Sequence, residues 1–302
     1  MPIGSTGRAL DGVHVVSLAA HLPGPLAARQ LMGFGASVVK IEPPDGDPFG
    51  GYHRAWYEAL ADGQRVLRLD LKDPSTRPAL DDLLDAADLL ITSSRPSSLG
   101  RLGLGWPDVH ARFPRLCYVA IVGSASPDAN KPGHDLTYQA SAGLVAPPQL
   151  PAILLADFAG AERSVSASLA LLLARERGGD AGYAEVSLAA VADQFNEPVR
   201  RGVTTPGSLF GGGLPGYGLY RARDGWVAVA ALEANSWSAM RRAVGLAGSP
   251  APSGTSAEDP QLDRDALEAH FLGNTAEYWE LWAVQNDLPI VAIRPPSEQI
   301  VR

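Results

Sequence analysis

A single cysteine, Cys117, occurs in 302 residues, which excludes an intrachain disulfide. It lies in Leu-Cys-Tyr-Val-Ala-Ile, read as a buried strand where a thiol packs as a small hydrophobe. Charge is also scarce. Only 19% of residues are charged, acidic residues outnumber basic ones 33 to 25, and the formal net charge is −8 with no basic run. That balance excludes a general nucleic-acid binder, and a polyanionic ligand would need a local basic patch. Long apolar runs are missing as well: the uncharged stretch from Ala140 to Ala156 is interrupted by Pro and Gly, so no membrane span is expected. Met1 to Gly7 has no apolar signal core, and the expected location is cytoplasmic. No Gly-Lys-Ser/Thr phrase and no His/Cys cluster with metal-ligand spacing occurs, which argues against ATP chemistry and a bound metal.

What is present is enough apolar sequence, 46%, to bury a sizeable core in one large or two ordinary domains. The first third alternates strand and helix. Val13 to Leu18 reads as a strand, Pro25 to Phe34 as a helix stopped at Gly35, and Ser37 to Glu42 as the next strand. Strands at Val66 to Leu71, Asp88 to Thr92 and Leu116 to Val122, with a helix at Pro74 to Ala86, extend this into a mostly parallel, doubly wound, Rossmann-like α/β sheet. The turn His21-Leu-Pro-Gly-Pro follows the first strand, where open α/β sheets place ligands, but it is not a Gly-x-Gly-x-x-Gly turn, so nicotinamide chemistry is not expected. Val165, Leu169, Leu172 and Leu173 then recur at helical spacing, and Ala184 to Leu188 reads as the last strand of this domain.

From about Gln194 the character changes, giving expected domains of 1–193 and 194–302. Tyr217 to Ala222 and Trp226 to Ala231 make a hairpin around Asp224-Gly225. A helix at Ser236 to Gly245, a Ser/Pro/Gly/Ala stretch from Ala247 to Ser256, helices around Leu262 to Phe271 and Thr275 to Gln285, and a strand at Pro289 to Ile293 complete a smaller α+β domain. Trp279 and Trp282 are expected as core or dimer contacts rather than a stacking platform.

The chemistry-bearing residues concentrate between Gly133 and Glu162. His134 sits in Gly-His-Asp and opens an apolar, helix-compatible segment; Asp157 sits in Leu-Leu-Ala-Asp-Phe-Ala-Gly just before a helical stretch. Read singly, the aspartate is most often an N-cap, and a histidine beside Asp135 can be a cap too. Together these phrases resemble the class III CoA-transferase family, and within it the α-methylacyl-CoA racemases, whose catalytic His and Asp occupy the matching positions. In the transferases the Asp is the nucleophile and the position of the His is often Tyr, so His134 favours racemase. The resemblance also implies that Glu233, past the hairpin, hydrogen-bonds the catalytic His and fixes its tautomer.

Phe34 to Pro43 and Pro-Gly-Pro look like the family's opening, whose loops grip the nucleotide part of CoA. That makes His21, Gly24, Pro25 and Gly133 CoA-binding candidates, and Arg65, Arg95 and Arg101 phosphate candidates, since guanidinium forks suit phosphate oxygens. Departures from the family pattern fall at Pro43, Gln64, Ser97, Val122 to Ser126 and Ile153, and they bear on CoA affinity. The resemblance implies an interlocked homodimer, an acyl-CoA thioester as substrate, and no cofactor beyond its CoA moiety.

Three functions stay open: 1,1-proton transfer at the α-carbon of a 2-methylacyl-CoA, CoA transfer through an aspartyl-CoA thioester on Asp157, or a non-catalytic scaffold. For the first, helix N–H groups beside Asp157 are expected to hold the enolate oxygen and to lower the carboxyl's pKa.

Overall fold

The computed structural model describes residues 8–246 and 260–294, and the chain divides into two compact units, Met1–Asn196 and Glu197–Arg302. The stretches Met1 to Gly7 and Ala247 to Ser256, for which expectations were formed, lie outside the described residues.

The first unit runs β1 (His14–Ser17), α1 (Pro23–Gly33), β2 (Ser37–Glu42), α2 (Pro48–Tyr52), α3 (Arg54–Ala61) and β3 (Arg65–Arg68). A short 3-10 turn at Pro74–Thr76 leads into α4 (Arg77–Asp85), then β4 (Leu89–Thr92), α5 (Pro96–Arg101), α6 (Trp106–Arg112) and β5 (Cys117–Val122). It ends with α7 (Asp135–Ser141), α8 (Leu155–Glu176), β6 (Tyr183–Ser187) and α9 (Leu188–Phe195). All six strands are parallel, in the order β3-β2-β1-β4-β5-β6. The doubly wound sheet expected from the alternating pattern is therefore present, and its order reverses between β1 and β4.

Alternation along the strands explains why both faces are covered. Val15, Leu89, Ile91, Val119 and Ile121 point into one core with Ala27, Leu31, Ala161, Val165 and Leu172 of α1 and α8. Their neighbours Val16, Leu90 and Tyr118 point into the other, with Leu80 and Leu84 of α4, Leu99 of α5 and Val109 of α6. Every residue of β4 and β5 is buried, which is why these read as continuous apolar runs rather than alternating ones. Cys117 is among them, buried and free.

α1 starts at Pro23, two residues before the expected start. The first-turn N–H groups have no intrahelical partner in any case, so two prolines cost nothing there. Gly35, at φ 109°, ends the helix as expected. Inside α8, Ser164 and Ser168 are buried and donate their hydroxyls back to the carbonyls of Gly160 and Ser164, both at 2.7 Å, so the core accepts them without an unpaired donor.

The second unit holds α10 (Glu197–Arg200), a π turn at Leu209–Gly213, β7 (Tyr217–Arg221), β8 (Trp226–Ala230), α11 (Ala234–Ala243), α12 (Pro260–Phe271), α13 (Ala276–Gln285) and β9 (Ile290–Ala292). β7, β8 and β9 form an antiparallel sheet whose core includes Tyr220, Val227, Trp237, Met240, Phe271 and Trp279. The hairpin differs in detail from the expected turn centred on Asp224-Gly225 with its first strand running to Ala222. Its loop spans four residues, 222–225, neither Asp224 nor Gly225 has a positive φ, and Asp224 Oδ1 accepts the backbone N–H of Ala276 at the start of α13. Asp224 therefore serves the start of α13 rather than a tight turn. Trp279 is buried and its indole N–H donates to the carbonyl of Phe271 at 2.7 Å, making it a core residue. Among the described residues no helix is long and apolar enough to cross a membrane.

Candidate functional site

At the switch point of the sheet, a cleft of about 530 Å³ opens over the carboxyl ends of β1, β4 and β5. Its walls come from different loops: Ala20 and His21 after β1, Ser93 to Arg95 after β4, and Gly123 and Lys131 to His134 after β5, with Tyr138 from α7 and Asp157 from α8. Such a crevice needs no special sequence; it exists because neighbouring connections leave the sheet in opposite directions.

His134 is the exposed N-cap of α7. Its backbone N–H donates to Thr137 Oγ1 at 3.0 Å, and that hydroxyl donates to the His134 carbonyl at 2.7 Å, so the helix start is closed by Thr137. The imidazole meets the ring of His21 edge to face, with centroids 6.0 Å apart.

Asp157 is not a cap. Leu154 is the N-cap of α8, and Asp157 lies inside the first turn. Its backbone N–H donates to Asp135 Oδ1 at 3.1 Å, while the other Asp135 oxygen accepts from the Gln139 amide, which also donates to the Ile153 carbonyl at 2.9 Å. The expected lowering of the Asp157 pKa is thus reversed. Burial, and then the negative charge of Asp135, push its carboxyl up to about 7. One N–H of that first turn, Asp157's own, is engaged by a second carboxylate.

Tyr138 is buried to 7% exposure, and its hydroxyl is held above the usual range by burial and the charge of Asp157, with Arg95 opposing. Two glycines make room for it: a Cβ at Gly123 would lie 2.2 Å from the Tyr138 hydroxyl, and one at Gly133 would lie 2.4 Å from its ring.

Of the residues singled out in the sequence, the structure brings His21, Arg95, Gly133, His134 and Asp157 to this one cleft. Gly24 and Pro25 are instead buried in the first turn of α1, where a Cβ at Gly24 would fall 2.1 Å from that of Ala19, so the glycine is required where α1 lies against the loop that follows β1. Arg65 starts the exposed edge strand β3, and Arg101 lies exposed at the end of α5, donating to Ser98 Oγ at 3.1 Å; neither lines the cleft. Glu233 belongs to the second unit, as the exposed N-cap of α11.

Sequence reasoning missed Asp135, Tyr138, Ser93 and Lys131. Asp135 and Tyr138 stand one and four places after His134, so a helix started at His134 would have put Tyr138 one turn along the same face.

The raised pKa gives a stability prediction with a defined sign. Between the unfolded value near 3.8 and the folded value of about 7, the folded state holds a proton that the unfolded state has lost, so this group's contribution falls as pH rises through that window. Asp157→Asn removes the penalty. Urea melts are expected to show the variant gaining on the parent by ~1–3 kcal/mol at pH 8 and by close to nothing at pH 4. An equal gain at both pH values, or a loss at pH 8, would contradict the carboxyl's burial beside Asp135.

The model of CoA-transferase family III matches residues 10–301. Among curated relatives, a probable fatty acyl-CoA transferase of Mycobacterium tuberculosis is 30% identical over 64% of this chain and 53% of its own, and a succinyl-CoA–D-citramalate CoA-transferase of Chloroflexus aurantiacus is 31% identical over 60% and 49%. The chain thus spans about half the length of these two. The human α-methylacyl-CoA racemase is 28% identical over 91% of this chain and 75% of its own. In three dimensions, the crystal structure of the hypothetical protein Rv3272 from M. tuberculosis aligns at a TM-score of 0.82 with 24% identity, covering 97% of this chain and 87% of that one. A CAIB/BAIF family protein from Brucella suis aligns at 0.75 with 21% identity over 96% and 85%; both are likenesses of fold.

Proposed function

The chain belongs to CoA-transferase family III, and from that premise we propose that it is an acyl-CoA racemase, moving a proton at the α-carbon of a 2-methylacyl-CoA thioester. The observation carrying this reading is that two proton-holding groups of different charge type, His134 and Asp157, line one cleft, with the carboxyl raised to about 7. Turnover requires one of the two groups protonated and the other not, and a carboxyl titrating near neutrality supplies either form. A neutral imidazole takes the α-proton on one face, the thioester carbonyl carries the resulting enolate, and the carboxylic acid returns its own proton on the other face. The reverse passage restores the starting charges. Arg95 and Lys131 on the cleft wall supply positive charge for the phosphates of CoA. On this reading the protein is cytoplasmic, needs no cofactor beyond the CoA moiety, and works as a homodimer, which light scattering checks.

The acyl-CoA and succinyl-CoA transferases of M. tuberculosis and C. aurantiacus among the relatives favour a second reading, CoA transfer with Asp157 as nucleophile. Carboxylate oxygen attacks the thioester carbonyl and CoA thiolate leaves; the thiolate then attacks the resulting anhydride at Asp157, releasing the acyl group as carboxylate and leaving aspartyl-CoA.

One experiment separates them. In D₂O, without any acceptor acid, a single enantiomer of a 2-methylacyl-CoA is expected to gain deuterium at Cα and lose optical purity. In parallel, the enzyme is incubated with the ester and hydroxylamine. A hydroxamate on the Asp157 peptide, with no deuterium gain, establishes the transferase; exchange with inversion and an unmodified peptide establishes the racemase.

A further inference from the structure

His21 is one of two non-glycine residues with a positive φ among those described, at 64°. Left-handed backbone at a side-chain-bearing residue persists only where the surroundings hold it. Here the holding group is Asp47. Its Oδ1 accepts the His21 N–H at 3.1 Å and also the Phe49 N–H at 2.9 Å, which caps α2. Its Oδ2 lies 2.5 Å from Lys40 Nζ, and Lys40 is in turn 3.1 Å from Glu42 Oε1; all three residues are buried. On the other side of His21, Leu22 is anchored in a small core with Phe49 and Leu60. A buried ionic cluster therefore fixes an exposed cleft residue in an unfavourable backbone conformation, and that conformation sets the His21 ring against the imidazole of His134.

Sequence resemblance put His21 in a loop that grips the nucleotide. The geometry points to a different role. We propose that His21 is a positioning residue for His134: its ring edge fixes the orientation of that imidazole over the cleft, and Asp47, held by Lys40, keeps His21 in place. A centroid separation of 6.0 Å suits ring packing, so the contact is one of shape rather than of proton transfer. The inference rests on the reading that His134 handles the α-proton.

The test uses the full-length protein and steady-state inversion of a 2-methylacyl-CoA. His21→Ala is expected to lower kcat by between ~10-fold and ~100-fold with KM within about 2-fold, because a misaligned base loses rate rather than binding. His21→Phe, which keeps a flat ring but no titrating nitrogen, is expected to recover most of that kcat. Asp47→Asn is expected to lower kcat too, and the double variant with His21→Ala to be no slower than His21→Ala alone, since Asp47 acts through His21.

Any of three results overturns the proposal: His21→Phe as slow as His21→Ala, which makes the nitrogen essential; a raised KM at unchanged kcat, which makes His21 a binding contact; or full additivity of the two single variants. An arm independent of turnover follows the imidazole of His134 by ¹⁵N NMR. Its resonances should shift or broaden in His21→Ala and hold in His21→Phe, and unchanged spectra in both overturn the proposal. If His134→Ala inverts substrate at the parent rate, the proposed function fails instead, and the NMR arm alone then decides whether His21 positions that ring.

Discussion

Replacing either His134 or Asp157 by alanine is expected to stop inversion of a 2-methylacyl-CoA, with kcat falling by ~10²–10⁴-fold in each case. The two variants should nonetheless differ in what survives. On the proposed reading each keeps the proton-holding group of one face, so each can remove and return a proton on that face alone. Deuterium exchange without inversion is then expected for one enantiomer with His134→Ala and for the opposite enantiomer with Asp157→Ala. The measurement is Cα deuteration of each pure enantiomer followed by mass spectrometry, beside polarimetry. Exchange of the same enantiomer by both variants would mean that the two groups do not stand on opposite faces. Loss of activity only in Asp157→Ala, with His134→Ala near the parent rate, would return the carboxyl to the role of nucleophile.

Lys40→Met is expected to cost about 3–5 kcal/mol of stability, read from the midpoint of a urea melt at unchanged slope. Lys40 is 2% exposed, and its ammonium is shared between Asp47 and Glu42, with the Tyr57 ring centroid 4.9 Å away. The Tyr57 hydroxyl donates to Glu42 Oε1 at 2.7 Å; burial first, then this hydrogen bond, hold its pKa far above the usual range. Methionine keeps the volume and removes the charge, leaving two buried carboxylates without their cation. A loss below about 1 kcal/mol would mean that water reaches the cluster and screens it. Replacing the whole cluster by apolar residues is no escape here, because Asp47 also accepts the His21 and Phe49 N–H groups, which an apolar side chain would leave unpaired.

The order of the strands was legible because buried parallel strands are written as apolar runs bounded by glycine and proline, and β2 keeps the bounds read for it, Ser37–Glu42, whereas the short helices α2, α3, α5 and α6 were not read. The location of the cleft was legible for a topological reason: the turn after the first strand of an open sheet faces its switch point. The electrostatics of Asp157 were not. In the sequence it is a lone carboxylate in an uncharged run, and the group that reverses its titration, Asp135, stands 22 residues earlier and reaches it only because α7 and α8 pack together. The clamp on His21 has the same character, since Asp47 is 26 positions away and reads as an ordinary loop acid. The roles of Gly24 and Gly133 were also hidden: a glycine that admits a ligand and one that admits a neighbouring loop or ring look alike until the contact is seen.

The strand order also sets a timetable for synthesis. β1 pairs with β4 and β4 with β5, while α8, which supplies Ala161, Val165 and Leu172 to the same core face, follows tens of residues later. A nascent chain that has emerged only through Val122 therefore carries Val15, Leu89, Ile91, Val119 and Ile121 before one of their covering helices has emerged. Sequence-distant pairings form slowly, and until they are covered such an apolar face is adhesive. The second unit opens on a local hairpin, β7 and β8, but waits in the same way, because β9, which pairs with β8, and the core residues Phe271 and Trp279 follow tens of residues later. Chaperone demand during translation should accordingly fall in two intervals, one between β5 and the end of α8 and one between β8 and β9.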